Sequence, residues 1–312
     1  MRAIYMIAMI VALTLIASGA HASAVLVDAK GDVKVRQGKS ETKARIGVEL
    51  ADGAVVIAGD KSAASILSES GSLDEIAAGQ SYTVGKPLAA KSTSLGSGIA
   101  VAMKEVSAGG KGPTVHGMVK EAGGGGRLAI DFDKLGGQGL IALYPSGTVV
   151  RIGPTIEFRW SEPVGKDWVN PTLALFDVAG KRVSELPLGI GDTSLSICPC
   201  KLGLRPGADY KWFLATADKG LSSKTHEFKF STLSDNETRR LDNELSKISS
   251  SDLSEDGKAL LDAQIYFSHS MYEEAVKGLS PAYARSPSPY AKKLLYLGYM
   301  RMGRIAEAKK YE

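Results

Sequence analysis

Cys198-Pro199-Cys200 holds the only two thiols in the chain and is its most specific chemical string. In an oxidising compartment the two are expected to pair as a disulfide. A bridge across one intervening residue is strained and more easily reduced, which opens a thiol-redox alternative, and two thiolates would also suit a soft cation such as Cu(I). The two-residue spacing of redox dithiols is missing, and no helix N-terminus is predicted beside them to lower a thiol pKa. His116, His226 and His269 lie too far apart for ligand spacing and are expected as surface or structural residues. Asp131 and Asp133 would share one strand face, and Glu273 precedes Glu274, but solvated edge positions are the ordinary fate of such pairs. Gly79 through Lys86 and Gly109-Gly110-Lys111-Gly112 lack the spacing of a phosphate-binding loop, and no nucleophile elbow, His-Glu-x-x-His or cofactor fingerprint occurs. The expectation is a protein that is not an enzyme and carries no cofactor and no resident metal.

The elements that would position these residues begin with a targeting signal. Arg2 precedes an apolar run from Ile4 to Ile16, and Ala20-His21-Ala22 has the small-x-small pattern of a signal-peptidase site, so residues 1–22 read as a signal peptide. That run is shorter than the ~20 residues that span a bilayer, and no later stretch is long and apolar enough. The mature chain is thus expected in the periplasm or secreted, with no transmembrane segment. With 38 Lys and Arg against 34 Asp and Glu, and no basic run interleaved with aromatics, nucleic acid is not an expected partner.

From Ala24 to Lys86 short apolar stretches alternate with glycines. Val25 and Val27 alternate, Val33 and Val35 follow Gly31-Asp32, and Gly38, Gly47, Gly53, Gly59, Gly71 and Gly79 punctuate the rest. Strands this short must close into a small sandwich or barrel. The succession GDVKV, GVELADGAVV, SAASILSESGSLDEI and SYTV, with Gly47, Leu50 and Gly53 at a turn, resembles the periplasmic FecR-like domain. The resemblance covers residues 24–86 and implies a sensing or regulatory surface, although the membrane helix and cytoplasmic segment of full FecR proteins have no counterpart here.

Residues 87–139 read as a glycine-rich connector, with a short helix at Ile99–Val106, strands at Val115–Val119 and Leu128–Phe132, and a run of four glycines at Gly123–Gly126. Residues 140–233 alternate as strands around Ile156, Phe158 and Trp160, Leu173 and Leu175, Tyr210–Leu214 and Phe228–Phe230, with a hairpin turn at Asp177–Gly180. Leu204-Arg-Pro206-Gly-Ala-Asp-Tyr210 resembles the tyrosine corner of fibronectin III and immunoglobulin-like sandwiches. That resemblance implies a hydroxyl-to-backbone bond at Tyr210 and an inward Trp160. The aromatics of this region are expected as core.

From residue 235 to 312 the period becomes helical, with helices expected at Thr238–Ile248, Gly257–Ser268, Tyr272–Leu279, Pro289–Met302 and Ile305–Tyr311. Ala263, Tyr266, Ala275, Leu279, Ala282 and Pro287 fall at offsets that resemble a tetratricopeptide repeat. Tyr272-Glu-Glu-Ala275 after Ser270 is echoed 33 residues later by Ile305-Ala-Glu-Ala308 after Gly303. Such a short array buries its core only by leaning on something else, its own modules or a partner. Tyr283, Tyr290 and Tyr311 are the candidate partner-binding residues, while Tyr296 and Tyr299 are expected between helices. The resulting architecture is multi-domain and mostly β, with a FecR-like β domain and an Ig-like β sandwich followed by an all-α TPR-like region. It suits an envelope scaffold or adaptor that binds other envelope proteins or peptides, with a carbohydrate- or peptidoglycan-binding module as the alternative.

Overall fold

The computed structural model describes residues 23–86, 91–108, 142–161, 164, 168–216 and 227–312. The expected signal peptide, the 109–112 and 123–126 glycine runs, both strands expected between 115 and 132, and His116, His226, Asp131 and Asp133 lie outside the described residues. Within those that are described, several antiparallel β sheets fill the N-terminal two-thirds and a helical region follows.

The N-terminal strands are β1 (Ala24–Lys30), β2 (Val33–Gln37), β3 (Ser40–Lys43), β4 (Glu49–Leu50), β5 (Val55–Ala58), β6 (Ala63–Ser68), β7 (Ser72–Ile76), β8 (Ser81–Thr83) and β9 (Ser92–Ser94). They form two sheets, ordered β4-β1-β6-β7-β9 and β3-β2-β5-β8. Ala24, Leu26 and Ile66 face the second sheet, packing with Val35, Val56 and Tyr82. Val25, Val27, Leu67 and Leu73 face the other way and are equally buried. The alternation expected of Val25 and Val27 therefore describes one face only. Val25-Leu26-Val27 is apolar throughout because β1 is covered on both sides, as in sheets sandwiched between layers.

The outer layer on that sheet comes first from α1 (Ser97–Ser107), which lies inside the expected connector. Its buried Ile99, Ala102, Met103 and Val106 recur at helical spacing. The described part of the connector thus supplies an edge strand, β9, and a core helix. The short helix expected at Ile99–Val106 is present, and what the linker reading did not anticipate is its burial on the sheet.

The sandwich contains β10 (Ala142–Tyr144), β11 (Thr148–Val150), β12 (Ile156–Trp160), β13 (Thr172–Asp177), β14 (Arg182–Pro187), β15 (Ser194–Ile197), a single helical turn α2 (Pro199–Leu202), β16 (Asp209–Ala215) and β17 (Phe228–Thr232). Its sheets run β10-β12-β15 and β11-β17-β16-β13-β14, with β11 parallel to β17. Phe158 and Trp212 meet edge to face at 5.2 Å in the centre. Trp160 is 2% exposed and donates Nε1–H to Asp192 O at 2.9 Å. At the corner the Arg205 N–H donates to the Tyr210 hydroxyl at 2.7 Å, so the Leu204–Tyr210 string makes the expected bond. The Asp177–Gly180 hairpin also forms, with Gly180 at φ +84° and the Lys181 N–H donating to Asp177 Oδ1 at 2.9 Å.

The helical region contains α3 (Asp235–Ser249), α4 (Glu255–Ser268), α5 (Tyr272–Arg285), α6 (Pro289–Arg301), α7 (Ile305–Ala308) and a 3-10 turn, Lys309–Tyr311. α3 starts three residues before its expected onset because Ser234 and Glu237 form a reciprocal capping box. α5 runs past its expected end at Leu279, through Pro281, whose missing N–H falls on an exposed face. After α4, the Ser270 N–H donates to Phe267 O and the Met271 N–H to Tyr266 O; after α6, the Gly303 N–H donates to Met300 O and the Arg304 N–H to Tyr299 O. Both turns are Schellman motifs with a left-handed residue at C′, Ser270 at φ +58° and Gly303 at φ +74°. The 33-residue echo in the sequence is thus one turn geometry used twice.

This array leans on the N-terminal sheet. Leu260, Leu261, Ile265, Leu294 and Leu295 share one core with Val25, Val27, Leu67, Leu73 and α1. Burying such side chains contributes roughly 1.5–3 kcal/mol each. Two glycines allow the close seating. A Cβ at Gly257 would stand 2.6 Å from Val27 O, and one at Gly47, which is at φ +76°, would stand 2.0 Å from Ser288 Oγ. Asp28 on β1 is buried and accepts from Ser254, the N-cap of α4, through Oγ at 2.6 Å and the backbone N–H at 3.2 Å.

Candidate functional site: a tyrosine edge on the terminal helices

The three tyrosines singled out in the sequence separate into two environments. Tyr290 is 1% exposed and donates its hydroxyl to Gln264 Oε1 at 2.7 Å inside the shared core. Burial holds that phenol well above the ordinary tyrosine range. Tyr290 is therefore a core residue and not a partner contact, because α6 turns that face onto α4 and the 45–48 loop, where its N–H meets Gly47 O at 3.4 Å. Tyr283 and Tyr311 are half-buried and adjacent, 5.5 Å between ring centroids at 69°.

Tyr299 completes the cluster. It stacks on Tyr311 at 5.7 Å and 12°, and the Arg304 guanidinium lies 5.0 Å over its ring, a cation–π contact. The Gly303 turn brings Arg304 back over α6, and Arg304 is fixed there by Glu273 at 3.0 Å and Glu307 at 2.8 Å. Tyr299 was expected between helices, and its spacing from Tyr311 in sequence gives no signal that they stack. Arg304 was missed for the same reason, since its role depends on a turn.

Basic residues crowd this end. Between Lys277 and Glu312 there are eight Lys or Arg against two Glu. Several are committed internally: Lys293 to Glu49 at 2.8 Å, Arg301 to Glu105, and Arg285 to Asp256 at 2.5 Å. Lys309 and Lys310 are exposed and have no ion-pair partner among the described residues.

Glu273 and Glu274, passed over in the sequence as an ordinary acid pair, sit on the seam between α5 and the sandwich. Arg159 on β12 pairs with Glu273, and the Tyr144 hydroxyl reaches Glu274 Oε1 at 3.4 Å. Burial pushes the Glu274 carboxyl up, and burial followed by the Glu274 charge does the same to the Tyr144 phenol. On α4, burial raises Asp262 to about 6. His269 contacts Glu244 at 2.8 Å and is enclosed with it. Burial pushes Glu244 up, but hydrogen bonds from His269 and Arg240 outweigh it and leave its carboxyl below the usual range. These groups tie elements of the fold together, and Glu244 with Arg240 also lines an open cleft of about 560 Å³ beside Ser94–Gly96.

Cys198 and Cys200 are joined as a disulfide with Cα atoms 5.3 Å apart, and Cys198 is the N-cap of the one-turn α2, a helix start the sequence did not predict. Both sulfurs are used in the bond, so neither offers a thiolate to a soft cation in this state. Among the described residues no group of three or more His, Cys, Asp or Glu could hold a metal ion. One open cleft of about 690 Å³ lies at the end of the N-terminal sheets, lined in part by Ser68, Ser70, Ser72, Asp52, Asp74 and Tyr82. Its three serine hydroxyls form a ladder at 2.6–3.1 Å.

No family model matches the sequence, and comparison with curated proteins gives no match. Two solved structures resemble part of the fold. The adhesin domain of Epf from Streptococcus pyogenes is 14% identical with a TM-score of 0.23, over 31% of this chain and 33% of that one. CopC from Methylosinus trichosporium OB3b is 16% identical with a TM-score of 0.23, over 31% of this chain and 94% of that one. The chain spans about a third of the adhesin structure's length. Among the described residues no helix is long and apolar enough to cross a membrane.

Proposed function

We propose that this chain is an exported, non-catalytic scaffold of the cell envelope that docks a partner protein on the tyrosine edge of its terminal helices. One observation carries the reading. Tyr283, Tyr299 and Tyr311 form a continuous, half-exposed cluster on an edge of the array away from the faces that pack on β1, α1 and the sandwich. Rigid tyrosines supply contact area at low entropic cost and are enriched at interfaces. The repeated Schellman turns 33 residues apart support a tetratricopeptide-like unit, a family associated with protein docking, and the two short-stranded sheets support the FecR-like reading of residues 24–86. Export rests on the residue 1–22 pattern and fits the Cys198–Cys200 disulfide.

Capture from an envelope extract tests this, comparing the mature chain with a Tyr283→Ala/Tyr311→Ala variant of matching circular dichroism. The scaffold reading expects a protein retained by the former and lost from the latter. Identical recovery by both chains overturns it.

A second reading, polyol or glycan binding, is favoured by the serine- and carboxylate-lined cleft at Ser68–Ser72. The sandwich gives it little support, since Phe158, Trp160, Trp212 and Phe228 are all buried in its core. Calorimetric titration of soluble peptidoglycan fragments into the wild type and Ser70→Ala separates the two readings. Heat that disappears with Ser70→Ala would move the function to that cleft.

A further inference from the structure

The chemistry of the docking edge narrows its occupant, an inference that rests on the reading above. We propose that the edge takes an acidic polypeptide segment, with Tyr311 as the apolar anchor and Lys309 and Lys310 as its counter-charges. A 3-10 turn has three residues per turn, so when Tyr311 points inward against Tyr283 and Tyr299, Lys309 and Lys310 leave on either side of it. Both ammonium groups are exposed and unpaired among the described residues. Of the nearby acids, Glu273 and Glu307 are held by Arg304, and Glu312 alone stands exposed beside the pair, its backbone oxygen accepting from Lys292. What remains is an aromatic surface bordered by free positive charge, complementary to carboxylates interleaved with apolar side chains.

Other polyanions fit less well. Each Lys near an anionic membrane contributes only about 1 kcal/mol, so two are too few to hold a chain on a bilayer without an inserted apolar group. Single-stranded nucleic acid needs open ring faces for stacking, and the Tyr299 ring is already engaged by Arg304 and stacked on Tyr311.

The test is fluorescence anisotropy with the full mature chain and a fluorescein-labelled peptide of alternating Glu and Leu, beside its twin with Gln for Glu. The Glu peptide is expected to bind more tightly, with affinity falling as salt rises. Lys309→Glu/Lys310→Glu should weaken it about tenfold, the size expected from two exposed ion pairs. Tyr311→Ala should weaken both peptides. Equal binding of the twins, or no effect of the charge reversal in a variant with an unchanged melting curve, overturns the proposal. Tighter retention on phosphatidylglycerol vesicles or on an oligonucleotide than on the peptide also overturns it, in favour of that surface. Partner capture that needs Tyr283 and Tyr311 but survives the charge reversal overturns the acidic occupant while leaving the docking edge standing. Capture indifferent to both sets of variants removes the edge itself.

Discussion

The sandwich draws its core from one stretch, Tyr144 to Phe230, whereas the core beside it joins residues 25–106 to residues 233–302 and takes Val149 from within the sandwich. Both are fully buried, yet they depend on the chain differently. The sandwich closes on its own strands. The other core has the N-terminal sheet as floor and α1 and the terminal helices as roof, so the Val25–Val27 face of that sheet is fully covered only when the helices are present, although its opposite face packs on the second sheet. Sequence modules and packing units therefore need not coincide.

The largest expected effect would break this contrast. A chain ending at Leu233 loses α3 to α7 and bares Val25, Val27, Leu67, Leu73 and α1. Residues 23–233 are expected to bind a hydrophobic dye and to lose the cooperative melting of the N-terminal sheets, while residues 142–233 alone retain a sigmoidal transition. All three tryptophans, Trp160, Trp168 and Trp212, lie in the sandwich, so their fluorescence follows that unit and far-ultraviolet dichroism follows the rest. A cooperative N-terminal unit in the shortened chain would show that the two cores are independent.

A smaller effect sharpens the picture of the shared core. Burial raises Asp262 from 3.8 to about 6. The folded state then holds a proton that the unfolded chain has released, so stability is greatest below about pH 4 and declines as pH rises through about 6. Asp262→Asn should flatten that window and stabilise the protein at neutral pH by about 1 kcal/mol, allowing for solvent screening of a part-exposed carboxyl. Urea titrations at acidic and neutral pH check it, and an unchanged pH slope would count against the buried carboxyl. The smallest effect belongs to the sandwich. Tyr210→Phe removes the bond from the Arg205 N–H and should cost about 1 kcal/mol, visible in the tryptophan transition and absent from the helical one.

The same contrast explains what the sequence made legible. The sandwich was readable because alternation, the Asp177–Gly180 hairpin and the Leu204–Tyr210 corner are local signals that act within a few residues. The helices were readable by period, and the Ser270 and Gly303 turns by their echo. The two-sided burial of β1 was not, because Val25-Leu26-Val27 carries no sign of what covers each face until α4 is placed over it. Tyr290 illustrates the same limit at the candidate site. Its type suits an interface, but Gly47 and Gln264, distant in sequence, enclose it. Tyr299 and Arg304 joined the site only through the turn at Gly303.

Strand β11 carries one further consequence. Val149 belongs to the shared core and Val150 to the sandwich core, while the Val149 N–H donates to Ser270 O at 2.9 Å and Thr148 Oγ1 donates to the same oxygen at 3.0 Å. Three residues thus act as a rivet through two plates. A load applied at the tyrosine edge passes from α5 through Ser270 into β11 and on to β17, so the sandwich follows the helices as one lever arm.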